Sequence, residues 1–202
     1  MSLADKFTLL RIILAPVFFI VYLLPIFFPS WFPHGSGWTV PVFWLIAIVA
    51  ELTDMFDGMA ARKLNEVSDF GKFFDPFADT LFQITCFLCL VITGIFPVIL
   101  FLVVIYREFS ILLIRNLMLK MGVTMGARIS GKVKTVTYII AGAVALLATS
   151  VQRLEILEFL YPIIKNTAVV LFSISVIVAV VSFFDYLSAF KKASKIRGQS
   201  SN

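Results

Sequence analysis

Four aspartates, at positions 54, 57, 75 and 79, are the residues of this chain best placed to do chemistry. They stand in the stretch DMFDGMAARKLNEVSDFGKFFDPFAD, with Gly58, Ala61, Arg62 and Gly71 between them. On a helix, Asp54, Asp57, Gly58 and Ala61 follow i, i+3, i+4, i+7 and share one face. Gly71, Asp75 and Asp79 follow i, i+4, i+8 and share another. Two carboxylates ~5 Å apart at an effective dielectric of ~20 repel by ~3 kcal/mol, so four gathered at one point need protons or cations. Oxygen ligands without histidine or thiolate select hard divalent ions such as Mg2+, Mn2+ or Ca2+. Two such ions bridged by carboxylates clamp phosphates in transfer reactions. One or two of these aspartates could simply cap helices or pair with Arg62, Lys63 and Lys72. Four at helical spacing, with small residues leaving open space on the same faces, favour a ligand site.

The elements that must position them are membrane helices. The chain has 202 residues, 60% hydrophobic and 14% charged, with a mean hydropathy of +1.01. A soluble domain carries roughly 25% charged residues. A spanning helix needs ~20 mostly apolar residues, and six stretches qualify, about 9–29, 39–61, 76–96, 97–119, 133–151 and 166–190. The expected fold is therefore an all-α integral membrane protein of six helices, with residues 1–202 as one domain. The first apolar run contains Arg11 and lacks a convincing cleavage site, so it reads as a retained helix rather than a signal peptide.

Charge distribution sets the expected orientation. Lysines and arginines collect at the N-terminus, in the 2–3 and 4–5 connections and at the C-terminus, whereas the opposite side holds only Arg153 and Lys165. The positive-inside rule puts both termini and the Asp54–Asp79 stretch on the cytoplasmic side. Arg153, Glu155, Glu158 and Lys165 read as a solvated or interfacial turn on the outer side, and the lysine-rich end of the chain as an anchoring flank. A basic inner face favours anionic lipid and phosphate-bearing ligands, and nucleic acid is not an expected partner of so apolar a chain. Cys86 and Cys89 form C-x-x-C within a span and read as buried thiols. The single histidine, His34, sits in the outer loop, which excludes a histidine-based metal site near the aspartates.

Lengths then bring the two acidic pairs together. Thr39 to Asp54 is ~22 Å of helix and Asp79 to Phe96 ~25 Å, at 1.5 Å per residue. In a hydrocarbon core ~30 Å thick, both arrive just beneath the cytoplasmic headgroups. The fourth helix carries Arg107, Glu108 and Arg115, and counting from Pro97 places Arg115 ~27 Å deep, level with the aspartates. Lys132 and Lys134 open the fifth helix on the same side.

The pattern D-x2-D-G-x2-A-R-x8-G-x3-D-x3-D, filled here by Asp54, Asp57, Gly58, Ala61, Arg62, Gly71, Asp75 and Asp79, resembles the signature of the CDP-alcohol phosphatidyltransferase family. Every fixed position matches, and the family's six-helix topology agrees with the span count. The resemblance implies that Asp54, Asp57, Asp75 and Asp79 bind two divalent ions, Mg2+ or Mn2+, which hold the diphosphate of a CDP-linked lipid. It implies that Asp79 is the general base for the acceptor hydroxyl and that Arg62 assists at the phosphate. Asp57, Gly58, Ala61, Arg62 and Gly71 would form the CDP-lipid pocket. A carboxylate beside the phosphates suits proton removal in the transition state.

Arg107-Glu108, Arg115 and Gly131-Lys132-Val133-Lys134-Thr135 resemble the phosphatidylglycerophosphate synthase branch of that family. This implies CDP-diacylglycerol as donor, glycerol 3-phosphate as acceptor, and an acceptor phosphate pocket built from Arg107, Arg115, Lys132 and Lys134. Lys132 and Lys134 also suit plain cytoplasmic anchoring, and Arg107 a structural pairing with Glu108. The N-terminal KFTLLRIILAP looks like this branch too, but Ala4-Asp5-Lys6 replaces its usual Asn-Pro-Asn type lead-in, and that region is given no site. The resemblance further implies a homodimer in a bacterial cytoplasmic membrane. Inositol phosphate, serine and phosphatidylglycerol are alternative acceptors. A divalent-cation transporter is the reading from another class, but such sites tend to lie near the midplane on broken helices, and these aspartates lie near one face.

Overall fold

A computed structural model of the chain describes residues 3–32, 36–64, 69–123 and 129–200, with side chains described for 5–32, 36–54, 74–123, 129–192 and 194. The described residues form six long helices, α1 (Leu3–Phe27), α2 (Thr39–Leu64), α3 (Asp69–Ile92), α4 (Val98–Lys120), α5 (Ile129–Leu154) and α6 (Tyr161–Ser200), with short 3-10 turns at Pro29–Trp31 and Glu158–Leu160. No strand occurs among them. Each expected span falls on one helix. Four stretches are long and apolar enough to cross a membrane: Asp5–Phe27, Phe74–Ile92, Ile129–Leu154 and Glu158–Lys192. In α2, side chains are described only as far as Asp54, and α4 carries Arg107, Glu108 and Arg115. Large apolar residues such as Ile13, Ile99, Leu113, Ile177 and Val181 face outward on the helices, as lipid-facing positions do.

Several helix ends lie about a turn or more from the expected apolar spans, as at α5, which opens at Ile129, and α6, which opens at Tyr161. The helix expected to carry Gly71, Asp75 and Asp79 on one face is α3, which begins at Asp69 and runs through Pro76; helices in membranes tolerate proline where neighbours meet the freed groups. The lysine-rich end of the chain continues α6 instead of leaving it. The end of α4 follows ordinary capping. Gly122 takes φ +76, its N–H reaches the Leu119 carbonyl, and the Val123 N–H reaches back to Met118. This is the left-handed stop that glycine favours.

α1 packs against both α2 and α3, α5 lies along α6, and α4 packs on α6 and α3. The core is aromatic where α3, α5 and α6 meet. Phe87 stands edge-on to Phe96, Tyr138 and Phe172, with ring centres 5.6, 5.3 and 5.2 Å away. Phe96 stacks on Phe172 at 3.9 Å. Geometry of this kind adds to the burial of the rings themselves.

Arg153 closes the end of the bundle where α1 finishes and α2 begins. The sequence reading put it in a solvated turn, but it ends α5 half-buried. It donates to the Tyr22 carbonyl and to Thr39 Oγ1, each at 2.6 Å, and lies over the Tyr22 ring at 4.5 Å. Tyr22 in turn bonds Thr149 at 2.7 Å. α1, α2 and α5 are thus joined at that end.

Candidate active site

All six helices contribute to one cavity of about 250 Å3. Arg11 comes from α1, Glu51 and Asp54 from α2, Asp79 and Gln83 from α3. α4 supplies Arg107, Glu108 and Arg115, α5 supplies Gly131, Lys132 and Lys134, and α6 supplies Tyr186. Two of the four aspartates singled out in the sequence, Asp54 and Asp79, therefore line a common space with Arg107, Arg115, Lys132 and Lys134, although 80 positions separate Asp54 from Lys134 in the chain; Asp75 is not among the lining residues.

α1 holds the acidic side in place. Arg11 is 2% exposed, and its Nη1 donates to Asp54 of α2 at 2.9 Å; the same nitrogen also pairs with Asp79 of α3. Three residues earlier, on the same face of α1, Thr8 donates to Asp75. A guanidinium between two carboxylates offsets the repulsion that would drive α2 and α3 apart. Asp54 and Asp79 remain about half exposed, at 52% and 45%, so their free edges face the cavity. Glu51, one turn before Asp54, adds a further carboxylate to the wall.

The carboxylates suit a hard cation. One positively charged nitrogen already lies within reach of acidic oxygens from two helices, and every donor on this side is oxygen. Among the described residues, no three acidic, histidine or cysteine side chains are gathered as a ligand cluster. Asp57, expected as the fourth ligand, is carried by α2, and its side chain lies outside the described residues. So do the side chains of Ala61 and Arg62 on α2 and the surroundings of Gly58 on α2 and Gly71 on α3.

On the basic side, two of the four cations expected to bind phosphate are already paired. Arg107 donates to Glu108 Oε1 at 2.8 Å, to Ser182 at 3.1 Å and to the Ala179 carbonyl at 3.2 Å. Lys134 reaches the same Glu108 oxygen at 3.1 Å. All three ionic groups are buried. They tie α4, α5 and α6 together, and burying them is tolerable only because each charge meets a partner. Arg115 and Lys132 differ. Neither forms an ion pair among the described residues. Arg115 donates to the Tyr186 hydroxyl at 3.3 Å, and Lys132 is exposed.

Sequence reasoning missed five residues here: Thr8, Arg11, Glu51, Glu108 as a shared partner, and Tyr186. Some signal existed for four of them, Glu108 having been read as a partner of Arg107 though not of Lys134. Glu51 precedes Asp54 by one turn, Thr8 precedes Arg11 by three residues, and Arg11 is the one charge inside the first apolar run. Nothing in the pattern marked Tyr186, one aromatic among many in α6.

A family model described as CDP-alcohol phosphatidyltransferase matches residues 1–181. The chain is 36% identical over 193 residues to a Treponema pallidum protein named CDP-diacylglycerol--glycerol-3-phosphate 3-phosphatidyltransferase, covering 94% of this chain and 89% of the relative. A Bacillus subtilis protein of the same name is 38% identical over 151 residues, covering 72% and 77%. An Escherichia coli K12 protein, again of that name, is 29% identical over 191 residues, covering 90% and 91%.

Proposed function

Because the chain belongs to the CDP-alcohol phosphatidyltransferase family, we propose that it transfers a phosphatidyl group from CDP-diacylglycerol to glycerol 3-phosphate, forming phosphatidylglycerophosphate and CMP. The observation that carries this reading is the shared cavity, which Asp54, Asp79, Arg115 and Lys132 all line. A donor diphosphate and a phosphorylated acceptor need opposite kinds of partner, one through cations held by carboxylates and one through cationic side chains. The cavity offers both. The names of the relatives support the same pair of substrates.

Asp54, Asp57, Asp75 and Asp79 would hold two divalent ions, Mg2+ or Mn2+. When bound, these supply positive charge that neutralises the donor diphosphate and the charge developing on it. Asp79 accepts the proton of the acceptor hydroxyl. The freed oxygen bonds to the phosphatidyl phosphorus as the bond from that phosphorus to the bridging oxygen breaks, and CMP leaves with the electron pair. Asp57, Gly58, Ala61, Arg62 and Gly71 form the CDP-lipid pocket, a role that their places in the sequence pattern support. Arg115 and Lys132 take the acceptor phosphate. Arg107 and Lys134 add positive potential from the wall, reduced by the Glu108 they share.

The same reading makes residues 1–202 one membrane domain with six spans, both termini cytoplasmic and the cavity opening at the cytoplasmic interface of a bacterial inner membrane. Pairing within α4 favours its spanning, since charged groups inside a membrane are tolerated when they face the bundle and meet partners. A homodimer is part of the proposal through the family alone. An acceptor panel with radiolabelled CDP-diacylglycerol tests the substrate assignment. Glycerol 3-phosphate should be the preferred acceptor, and preference for inositol phosphate, serine or phosphatidylglycerol would overturn it.

A further inference from the structure

Tyr186 sits where α4, α5 and α6 meet on the cavity wall, and only 2% of it is exposed. Its hydroxyl accepts the hydrogen bond from Arg115 at 3.3 Å, and the guanidinium carbon lies 5.6 Å from the ring centre. On its other side is Gly131. A methyl group there would lie 2.8 Å from the Tyr186 hydroxyl but 3.5 Å from the nearest ring carbon. The hydroxyl therefore occupies a notch that exists because residue 131 has no side chain, whereas the ring alone would tolerate one.

Among the described residues, Tyr186 is the one side chain hydrogen-bonded to Arg115, whose Nε is buried without a hydrogen-bond partner. The contrast with Arg107 and Lys134 is chemical. A carboxylate would fix an arginine but neutralise it, while a neutral phenol fixes it and leaves its charge available to an anion. We propose that Tyr186 is a positioning residue that holds Arg115 toward the acceptor's phosphate monoester, and that Gly131 supplies the space for it. This inference rests on the acceptor reading given above.

Steady-state kinetics of the purified full-length protein in mixed micelles test it, with thermal unfolding followed in parallel. Tyr186→Phe should raise KM for glycerol 3-phosphate roughly five- to tenfold, the size expected for losing one ordinary intramolecular hydrogen bond that acts through Arg115. Its kcat and its KM for CDP-diacylglycerol should stay within about twofold, since the ring still fills its place. Gly131→Ala should raise the same KM by displacing the hydroxyl. In the Tyr186→Phe background it should add little, because the displaced atom is gone. Independent, multiplying effects, or an unchanged KM with a lowered melting temperature, overturn the proposal. A wild type that uses CDP-diacylglycerol with another acceptor but not glycerol 3-phosphate overturns the acceptor reading instead.

Discussion

Arg11 of α1 donates to Asp54 of α2 at 2.9 Å from a side chain that is 2% exposed, and the same nitrogen pairs with Asp79 of α3. The first helix thus places one positive charge between carboxylates carried by two others. Removing it should leave those carboxylates facing each other, with ~3 kcal/mol of repulsion for a pair ~5 Å apart. Arg11→Gln should therefore melt at a lower temperature than wild type in EDTA. Mg2+ or Mn2+ should restore more stability to the variant than to the wild type, because ligand that binds only the folded state stabilises it. Equal melting temperatures in EDTA would show that Arg11 does not hold the two helices.

The buried trio of Arg107, Glu108 and Lys134 predicts a different outcome. Glu108→Gln leaves two buried cations without their carboxylate, a change that costs about 3–5 kcal/mol where such pairs have been broken. The variant should unfold at markedly lower temperature. Adding Lys134→Met to it should recover part of the loss, since one stranded charge is then gone. Thermal unfolding of the two variants checks this, and a double variant less stable than the single one would contradict it.

Arg115 and Lys132 should separate from that trio kinetically. Arg115→Gln should raise KM for glycerol 3-phosphate by roughly 10- to 100-fold, as expected when a charged hydrogen-bonding group is removed from an anion. Its KM for CDP-diacylglycerol should hardly change. Lys132→Ala should act in the same direction but more weakly, because its exposed charge is screened by solvent. Initial rates over a range of each substrate distinguish these effects.

Arg153 supplies the control at the other end of the bundle. Arg153→Leu should cost about 1–3 kcal/mol by removing the donors to Thr39 and the Tyr22 carbonyl. Once the protein is folded, both KM values should match the wild type. A selective rise in acceptor KM would mean that this end of the bundle communicates with the cavity.

Much of this arrangement was legible in the chain. Apolar runs located all six helices, and the spacing of Asp54, Asp75 and Asp79 put them on faces that α1 does bring together. The pairing of Arg107 with Glu108 was one of the sequence readings, and the partners of the other charges were not legible. Arg11 in an apolar run reads as an orientation marker, and its pairing depends on how α1 lies against α2 and α3. Lys132 and Lys134 look equivalent in sequence. The rotation of α5 against α4 buries one on Glu108 and leaves the other exposed. Arg153 ends its helix just before Glu155 and Glu158, so only packing shows that it turns inward onto Tyr22. Tyr186 gains its place from the missing side chain at Gly131, 55 residues earlier.

The most direct measurement of the central claim is CMP release by the purified protein from CDP-diacylglycerol, with and without glycerol 3-phosphate and Mg2+. The account predicts release only when both are present, and a loss of roughly 10^2- to 10^4-fold in Asp79→Asn, the range for removing a general base. Release in EDTA at the full rate, or an Asp79→Asn variant as active as the wild type, would contradict it.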